Sequence, residues 1–369
     1  MVGGTVTGSL KTASEARWWH REEDRIVCDL CPRDCRLLPG QRGLCFVRLR
    51  EGDRMLLDTW GRASGFCLDP VEKKPLAHFY PGSSVLSFGT AGCNLSCQFC
   101  QNWDISRARS TDRLTDSALP EEIARAAERA GAKSVAFTYN DPVVFAEYAI
   151  DVAKACRARG IRTVAVTAGY IREDPRREFF SHMDAANVDL KSFSESFYHR
   201  LTGGHLAPVL ETLLHIRRES SVWLEITTLL IPGENDSERE ISELCAWILR
   251  ELGPDVPLHF SAFHPDYRMA ELPPTPFETL DAARRRALSM GLHYVYTGNI
   301  RDREGGRTLC PSCRSLQIER DGYRIERYDV GPSGECLTCG SVLAGRFWEG
   351  DPPVSFGNRC LPLLLDPAS

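Results

Sequence analysis

The 369-residue sequence lacks the features that mark membrane, nucleic-acid-binding and secreted proteins. It has no apolar run near the ~20 residues that cross a bilayer, which excludes a membrane-spanning protein. Its 45 lysines and arginines against 50 acidic residues give a net charge of −5, which disfavours nucleic acid as a partner. The N-terminal residues lack the basic and then apolar layout of a secretion signal, so we expect a soluble cytoplasmic protein.

Cysteine, in contrast, is abundant. The chain has 15 cysteines, and without an export signal we expect them to stay reduced, so a disulfide framework is not expected. Most fall in three clusters: an N-terminal set of Cys28, Cys31, Cys35 and Cys45; the loop cysteines Cys93, Cys97 and Cys100; and a C-terminal set of Cys310, Cys313, Cys336 and Cys339. Clustered thiols in a reducing compartment predict metal binding. Cys67 and Cys360 have no predicted role.

Between residues 84 and 304, short β-branched runs alternate with longer amphipathic stretches. In 143–157 and 237–251, apolar residues recur at helical spacing. Strand–helix units of roughly 30 residues predict an α/β fold with a parallel sheet, either doubly wound or barrel-like. The predicted strands are 84–88, 134–139, 163–168, 187–192, 223–230, 257–263 and 293–298.

The flanks of this core differ from it in composition, and we divide the chain into five parts. A polar, flexible N-terminus (1–25) and a cysteine-rich module (26–83) precede the core (84–304). A module with two CxxC pairs (305–345) and a tail (346–369) follow it.

The loop cysteines form a CxxxCxxC motif directly after the first core strand. A [4Fe-4S] cube takes one cysteine per iron, so three thiolates on one loop leave one iron open to another molecule. A structural zinc site needs a fourth ligand, and no other cysteine or histidine lies nearby in the sequence. The motif therefore favours an iron–sulfur cluster with an open position.

The two terminal sets each supply four thiols. In the N-terminal set these lie within 18 residues, which suits either structural zinc or an auxiliary [4Fe-4S] cluster. The C-terminal set has paired CxxC knuckles like those of zinc ribbons and rubredoxins, so we expect zinc there, with iron as the alternative.

The CxxxCxxC motif resembles the signature of the radical S-adenosylmethionine (SAM) superfamily, whose members are partial or full βα barrels. More narrowly, six segments resemble the radical SAM enzyme of the AmmeMemoRadiSam system, a group related to pyruvate formate-lyase activating enzymes. The segments are DPVEKKPLAHFYPGS (69–83), CNLSCQFCQNWDIS (93–106), FTYNDP (137–142), VDLKSF (188–193), TTLLIPGENDS (227–237) and FHPDYRM (263–269). The resemblance implies a TIM-like partial βα barrel flanked by the two cysteine-rich modules.

The resemblance also implies a function. The loop cysteines hold a [4Fe-4S] cluster whose open iron binds the amino and carboxylate groups of SAM. One electron then breaks the sulfonium C–S bond, and the resulting 5′-deoxyadenosyl radical abstracts hydrogen from an unidentified substrate. The implied partners are an electron donor of the flavodoxin or ferredoxin type and proteins of the Memo and AMMECR types.

Further site candidates lie at the predicted carboxyl ends of strands, where a βα barrel gathers its active site. Asn140 and Asp141 stand where related enzymes carry a GGE-like motif that contacts the SAM ammonium. Lys191 and Asp189 belong to a DLK motif that contacts SAM in the relatives. Lys191 is a candidate partner for the SAM carboxylate, and Asp189 for its ammonium or ribose. His264 is a candidate contact to the ribose or nucleobase. Helix capping or ion pairing is the alternative for both aspartates, and a structural role for His264.

The segment 69–83 carries a dense charge pattern, with Glu72, Lys73, Lys74 and His78 just before the first core strand. We expect it to close one side of the barrel mouth or to meet the substrate. An exposed linker is the alternative.

Two other functions remain open from the sequence. A glycyl-radical activating enzyme would abstract hydrogen from a glycine of a partner protein, as the relationship to the activating enzymes suggests. A non-catalytic zinc-binding scaffold would use all three cysteine clusters structurally, although it leaves CxxxCxxC without a nearby fourth ligand.

Overall fold

Two small antiparallel sheets precede the centre of the protein in the chain. The computed structural model describes residues 13–109, 114, 118–349, 356–357 and 360–363. Its first six strands are β1 Ser14–Glu15, β2 Trp19–Glu22, β3 Arg25–Cys28, β4 Arg36–Leu37, β5 Arg48–Glu51 and β6 Arg54–Leu57. They pair in the orders β2-β3-β4 and β1-β6-β5. Residues 14–22, within the segment predicted to be flexible, thus form two strands, while residues 1–12 lie outside the described part.

The central sheet contains all seven strands that the sequence predicts, preceded by one more. These eight strands are β7 Ser64–Pro70, β8 Ser84–Gly89, β9 Ser134–Phe137, β10 Arg162–Thr167, β11 Ala185–Asp189, β12 Trp223–Leu230, β13 Leu258–Ala262 and β14 Val295–Gly298. Every residue of β9 and β13 is buried. That is the pattern of strands covered on both faces, as parallel sheets require.

Helices connect successive strands of this sheet. They are α1 Trp103–Ser106, α2 Pro120–Arg129, α3 Ala146–Arg157, α4 Glu173–Ser181, α5 Glu195–Phe197, α6 Ala207–Glu219, α7 Glu238–Glu251 and α8 Phe277–Ser289. The predicted helix 237–251 is present, with the Ser237 hydroxyl accepting the Glu240 amide at its start. The other, 143–157, begins as a 3-10 turn at Pro142–Phe145 and continues as α3. No helix in the described part has the length and apolar character that a membrane crossing requires.

The order of the strands decides between the two predicted topologies. From β8 to β14 each strand is parallel to the next one along the chain, without a reversal. A doubly wound sheet reverses its order at a switch point, so this sheet is wound in one direction, as in a βα barrel. Right-handed crossovers then place the connecting helices on one face and leave the other face inside. β7 joins the sheet antiparallel to β8.

The C-terminal part adds a third small sheet and a return to the central one. Strands β15 Thr308–Leu309, β16 Leu316–Asp321 and β17 Arg324–Tyr328 form an antiparallel sheet around the C-terminal set. β18 Leu361–Pro362 pairs with β7. Among the described strands β14 and β18 are the edges of the central sheet, so the barrel is partial.

The same return brings together the two cysteines that had no predicted role. Cys67 lies on β7 opposite Pro362, and Cys360 immediately precedes β18. The two residues form a disulfide that spans 293 positions of the chain. The prediction that the cysteines stay reduced is therefore wrong for this pair. The pair could not be found from the sequence, because spacing does not show that the tail pairs with β7.

The segment 69–83 fills the inner face of the sheet at the amino ends of the strands. Val71, Leu76 and Phe79 pack with the inward-facing residues Val85 and Ala136 in a separate buried cluster. The backbone amides of Ala77 and His78 both donate to the Glu225 carboxylate on β12, at 2.8 Å each. The segment is therefore an internal plug, and the carboxyl ends of the strands remain open above it.

A buried ion pair joins the N-terminal module to the barrel. The Arg48 guanidinium on β5 donates to the Glu147 carboxylate on α3, and these side chains are 1% and 5% exposed. The second Glu147 oxygen accepts the Arg17 amide at 2.7 Å. Removing one partner of such a pair leaves an uncompensated buried charge.

We therefore predict that Glu147→Gln lowers the free energy of unfolding by roughly 3 kcal/mol, because Arg48 stays buried without its counter-charge. Anaerobic chemical denaturation followed by circular dichroism measures this. The matched control is Glu178→Gln, which breaks the half-exposed pair with Arg17 and is expected to cost at most about 1 kcal/mol. Equal losses in the two variants would contradict the prediction.

Candidate active site

A cavity of about 260 Å³ opens at the carboxyl ends of the parallel strands. Side chains from the end of every parallel strand or from the loop that follows it line this cavity. They include the loop cysteines, Thr138, Asn140 and Asp141 after β9, Thr167 and Ala168 at β10, Asp189 and Lys191 at β11, Thr227 and Leu229 on β12, Ser261 on β13 and Asn299 after β14. The site therefore lies where a βα barrel places its catalytic residues.

The loop cysteines face this cavity from the loop between β8 and α1. Burial raises the pKa of Cys93 to about 12 and that of Cys97 to about 11. The Cys100 sulfur lies 3.1 Å from the Ser106 hydroxyl. A metal centre that binds such buried thiols displaces their protons and stabilises the thiolates.

Asn140 holds the start of this loop. Its side-chain oxygen accepts the Thr90 amide at 2.9 Å, and its nitrogen donates to the carbonyls of Ala91 and Gly92 at 3.2 and 2.8 Å. The side chain is buried, so these bonds have no competition from water. The amide thereby fixes the backbone that leads directly into Cys93.

Asp141 connects two strand ends. One carboxylate oxygen accepts the Val143 amide at 3.0 Å and the Thr167 hydroxyl at 2.8 Å, and the other accepts the Ala168 amide at 2.9 Å. Burial raises the pKa of this carboxyl despite those bonds. Asp141 caps the 3-10 turn after β9, which is the alternative that the sequence left open for it.

Lys191 and Asp189 form an ion pair of 2.9 Å on the cavity wall. Burial alone would lower the pKa of Lys191, but the Asp189 carboxylate outweighs it and raises that pKa, so the ammonium stays charged. The Lys191 charge in turn lowers the pKa of Cys97, although burial dominates there. One cation and one anion therefore stand beside the loop cysteines.

The Thr227 hydroxyl also lines the cavity. It is buried and has no hydrogen-bond partner in the described part of the chain. A buried hydroxyl without a partner carries an energetic penalty that a ligand can relieve. Together with Lys191 and Asp189, it makes the cavity wall suitable for a zwitterionic ligand with hydroxyl groups.

Several lining residues were missed in the sequence, among them Ser261 and Asn299. Both occupy the same strand-end position as the residues that were found, so position alone would have indicated them. His264, in contrast, is exposed and is not among the residues that line the cavity.

The C-terminal set forms a compact tetrad. The Cys310 and Cys339 sulfurs are 3.7 Å apart, and so are those of Cys313 and Cys336. All four ligand atoms lie within 4.8 Å of one another. Zinc–sulfur bonds of about 2.3 Å in a tetrahedron separate the sulfurs by about 3.8 Å, so this set fits a single metal ion.

The part of the chain that forms this site matches a known protein family. Residues 88–245 match the model of the Radical SAM superfamily, so the chain contains a radical SAM domain. The matched range includes the loop cysteines and extends to the middle of α7.

The chain belongs to the same family as the uncharacterized protein MJ0808 of Methanocaldococcus jannaschii. The two are 37% identical over 332 residues, which cover 89% of this chain and 98% of that protein. The chain is also 28% identical over 168 residues to the pyruvate formate-lyase-activating enzyme of Clostridium pasteurianum, covering 44% of this chain and 68% of that enzyme. Among solved structures, a radical SAM methyltransferase from Sphaerobacter thermophilus aligns with 17% identity and a TM-score of 0.48, covering 64% of this chain and 71% of that one.

We predict that Asn140→Ala loosens the loop that carries the loop cysteines. Because residues that position metal ligands change metal affinity by tenfold or more, iron loss to a chelator is expected to be about tenfold faster than in the wild type. Asn187→Ala is the matched control, since Asn187 is an equally buried amide that donates to the Pro75 carbonyl at 2.8 Å. Similar rates of iron loss in both variants would show that Asn140 does not position the loop.

Proposed function

We propose that the protein is a radical SAM enzyme with a [4Fe-4S] cluster on the loop cysteines and SAM in the adjoining cavity. The observation that carries the proposal is the arrangement of three partly buried cysteines beside the Lys191–Asp189 ion pair at the open end of a βα barrel. Three ligands leave one iron open, and the charged pair matches the carboxylate and ammonium of an amino acid.

When bound, the cluster and SAM supply a 5′-deoxyadenosyl radical by one-electron cleavage of the sulfonium, and that radical abstracts hydrogen from the substrate. The residues of this chain bind and orient. Lys191 pairs with the SAM carboxylate, Asp189 with its ammonium or ribose, and Thr227 offers an unpaired hydroxyl to the nucleoside. Asn140 and Asp141 act by positioning, since their side-chain atoms are bonded to the loops around the cavity. His264 has no role in this proposal, because its side chain is exposed.

The six matching sequence segments support a narrower assignment to the AmmeMemoRadiSam system. On this proposal the enzyme works in the cytoplasm with Memo-type and AMMECR-type proteins. It receives electrons from a donor of the flavodoxin or ferredoxin type. At the C-terminal set we propose zinc, because the 3.7 Å sulfur separations match a tetrahedral zinc site.

A second candidate is the activation of a glycyl-radical enzyme. The similarity to a pyruvate formate-lyase-activating enzyme favours it. The two candidates differ in which molecule loses the hydrogen atom. After incubation with a partner protein, a glycyl radical on that protein, detected by electron paramagnetic resonance (EPR), supports activation. A modified small molecule supports the first proposal.

Cys97→Ala tests the cluster directly. We predict that the variant, reconstituted anaerobically, loses about four iron atoms per chain and all dithionite-dependent formation of 5′-deoxyadenosine. Cys156→Ala is the control, since Cys156 is buried on α3 away from the cavity and should keep full iron and full cleavage. Cleavage that persists in Cys97→Ala would overturn the proposal.

Lys191→Met tests the amino-acid contact. A hydrogen bond between two charged groups contributes about 1.5–3 kcal/mol, so SAM is expected to bind about tenfold or more weakly, while iron content stays unchanged. Equilibrium binding of SAM measures this, with Lys154→Met on the exposed face of α3 as the control. Wild-type affinity in Lys191→Met would rule out its contact with the carboxylate.

A further inference from the structure

The N-terminal set surrounds a small, mostly apolar cavity of its own. Cys28 ends β3, Cys31 and Cys35 lie on the turn before β4, and Cys45 precedes β5. All four line this cavity, together with leucines, Val144 and two arginines. The four thiols thus converge on one space rather than lying as separate core residues.

The spacing of these sulfurs differs from that of the C-terminal set. Among the described residues, two groups of three or more possible metal ligands have all their ligand atoms within 4.8 Å of one another. Neither group contains a cysteine of the N-terminal set, so no three of its sulfurs lie that close together. The Cys35 and Cys45 sulfurs lie 3.6 and 3.7 Å from the position that a Cβ on Gly43 would take. Ligands of one zinc ion are closer together, whereas each thiolate of a [4Fe-4S] cube binds a different iron. The loop cysteines, likewise absent from those two groups, share this wider spacing.

The charges around the cavity suit an anionic cluster. Four thiolates on a [4Fe-4S] core leave it negatively charged, and Arg33 and Arg48 both line the cavity. Arg48 is almost fully buried and is already paired with Glu147, so Arg33 is the lining arginine without a carboxylate partner among the described residues. The Nη2 group of Arg33 is buried and has no partner in the described part of the chain. A cluster with sulfur acceptors gives that donor a partner.

This cavity lies directly behind the loop cysteines. A Cβ on Gly92 would come within 2.0 Å of the Cys45 carbonyl oxygen, so the backbones next to two ligands, Cys45 and Cys93, are in contact. The Arg33 Nε donates to the Asn94 carbonyl at 2.7 Å, and Asn94 lines the N-terminal cavity as well. Residues 92–94 therefore contact the N-terminal set and include Cys93 of the loop cysteines.

The other side of the N-terminal cavity approaches solvent. Cys35 is partly exposed, and the amide of Leu44, whose side chain is 38% exposed, donates to the Cys35 sulfur at 3.4 Å. The N-terminal site therefore lies between the protein surface and the loop cysteines.

We infer that the N-terminal set holds a second [4Fe-4S] cluster that passes single electrons to the cluster on the loop cysteines. The electron transfer, but not the presence of the second cluster, rests on the proposed function. A one-electron donor of the flavodoxin or ferredoxin class is oxidised as it reduces the second cluster from the 2+ to the 1+ state. That cluster returns to 2+ as the loop cluster is reduced, and no bond or proton changes place.

Metal analysis tests the first part. After anaerobic reconstitution, about eight iron and eight sulfide per chain are expected in the wild type, and about four of each in Cys31→Ala. Cys35→Ser, at the exposed edge, is a second variant in case Cys31→Ala fails to fold, and Cys156→Ala is the control. About four iron and two zinc per wild-type chain would overturn the assignment and indicate zinc at both terminal sets. These counts do not depend on SAM cleavage, so they stand if the proposed function fails.

The electron transfer is tested with two reductants in the same variants. With reduced flavodoxin, cleavage of SAM by Cys31→Ala is expected to fall to the background measured without donor. Dithionite is small enough to reach the loop cluster itself, so cleavage with dithionite should remain near the wild-type rate. Equal losses with both reductants, or flavodoxin-driven cleavage at the wild-type rate, would overturn electron transfer through this site.

Discussion

The hydrogen bonds between the Asn140 side chain and the backbone of 90–92 are the constraint on which the rest of the site depends. A CxxxCxxC loop has many conformations of its own, and three thiols bind one cluster only if that loop is held. Asn140 holds its start from the end of β9, and Cys45 and Arg33 contact the same loop from behind. The barrel and the N-terminal module thus both contact the loop that holds the loop cysteines.

The remainder of the fold leaves the barrel open at the carboxyl ends of the strands and closes it at their amino ends. The plug segment 69–83 is anchored by Glu225, which also accepts a hydrogen bond from His259 at 2.7 Å. Burial opposes ionisation of Glu225, but its hydrogen bonds, that from His259 above all, outweigh burial and hold the pKa of Glu225 below the usual range. His78 in turn lies 2.6 Å from the Tyr296 hydroxyl and from the Ala344 carbonyl, which joins the plug to the C-terminal module. Hydrogen bonds through Glu225 and His78 therefore hold the plug below the cavity.

The sequence predicted the elements well because each element has a local signal. The seven predicted parallel strands are confirmed with small shifts at their ends, since β-branched runs and strand-to-helix turns are local features. The prediction of a radical SAM domain is confirmed. It could be made from the sequence because the cysteine motif is defined by short spacing. Strand order had to come from the structure, since periodicity carries no information about which strands are neighbours.

The site was predicted in part, for similar reasons. The loop cysteines, Asp189 and Lys191 could be proposed because each lies in a short motif, and the structure places all of them at one cavity. Their contacts with a ligand stay predictions. The bonds of Asn140 and Asp141 to neighbouring loops, the exposure of His264 and the Cys67–Cys360 disulfide depend on contacts across the fold. The distinction between the two terminal sets depends on distances between sulfurs that sequence spacing does not determine.

The central claim is that the loop cysteines leave one iron open for SAM. The most direct test is the low-temperature EPR spectrum of the reduced, reconstituted protein with and without SAM. We expect SAM to change the part of the spectrum that Cys97→Ala removes, because the ligands of that cluster change when SAM binds. A spectrum that saturating SAM leaves unaltered would contradict it.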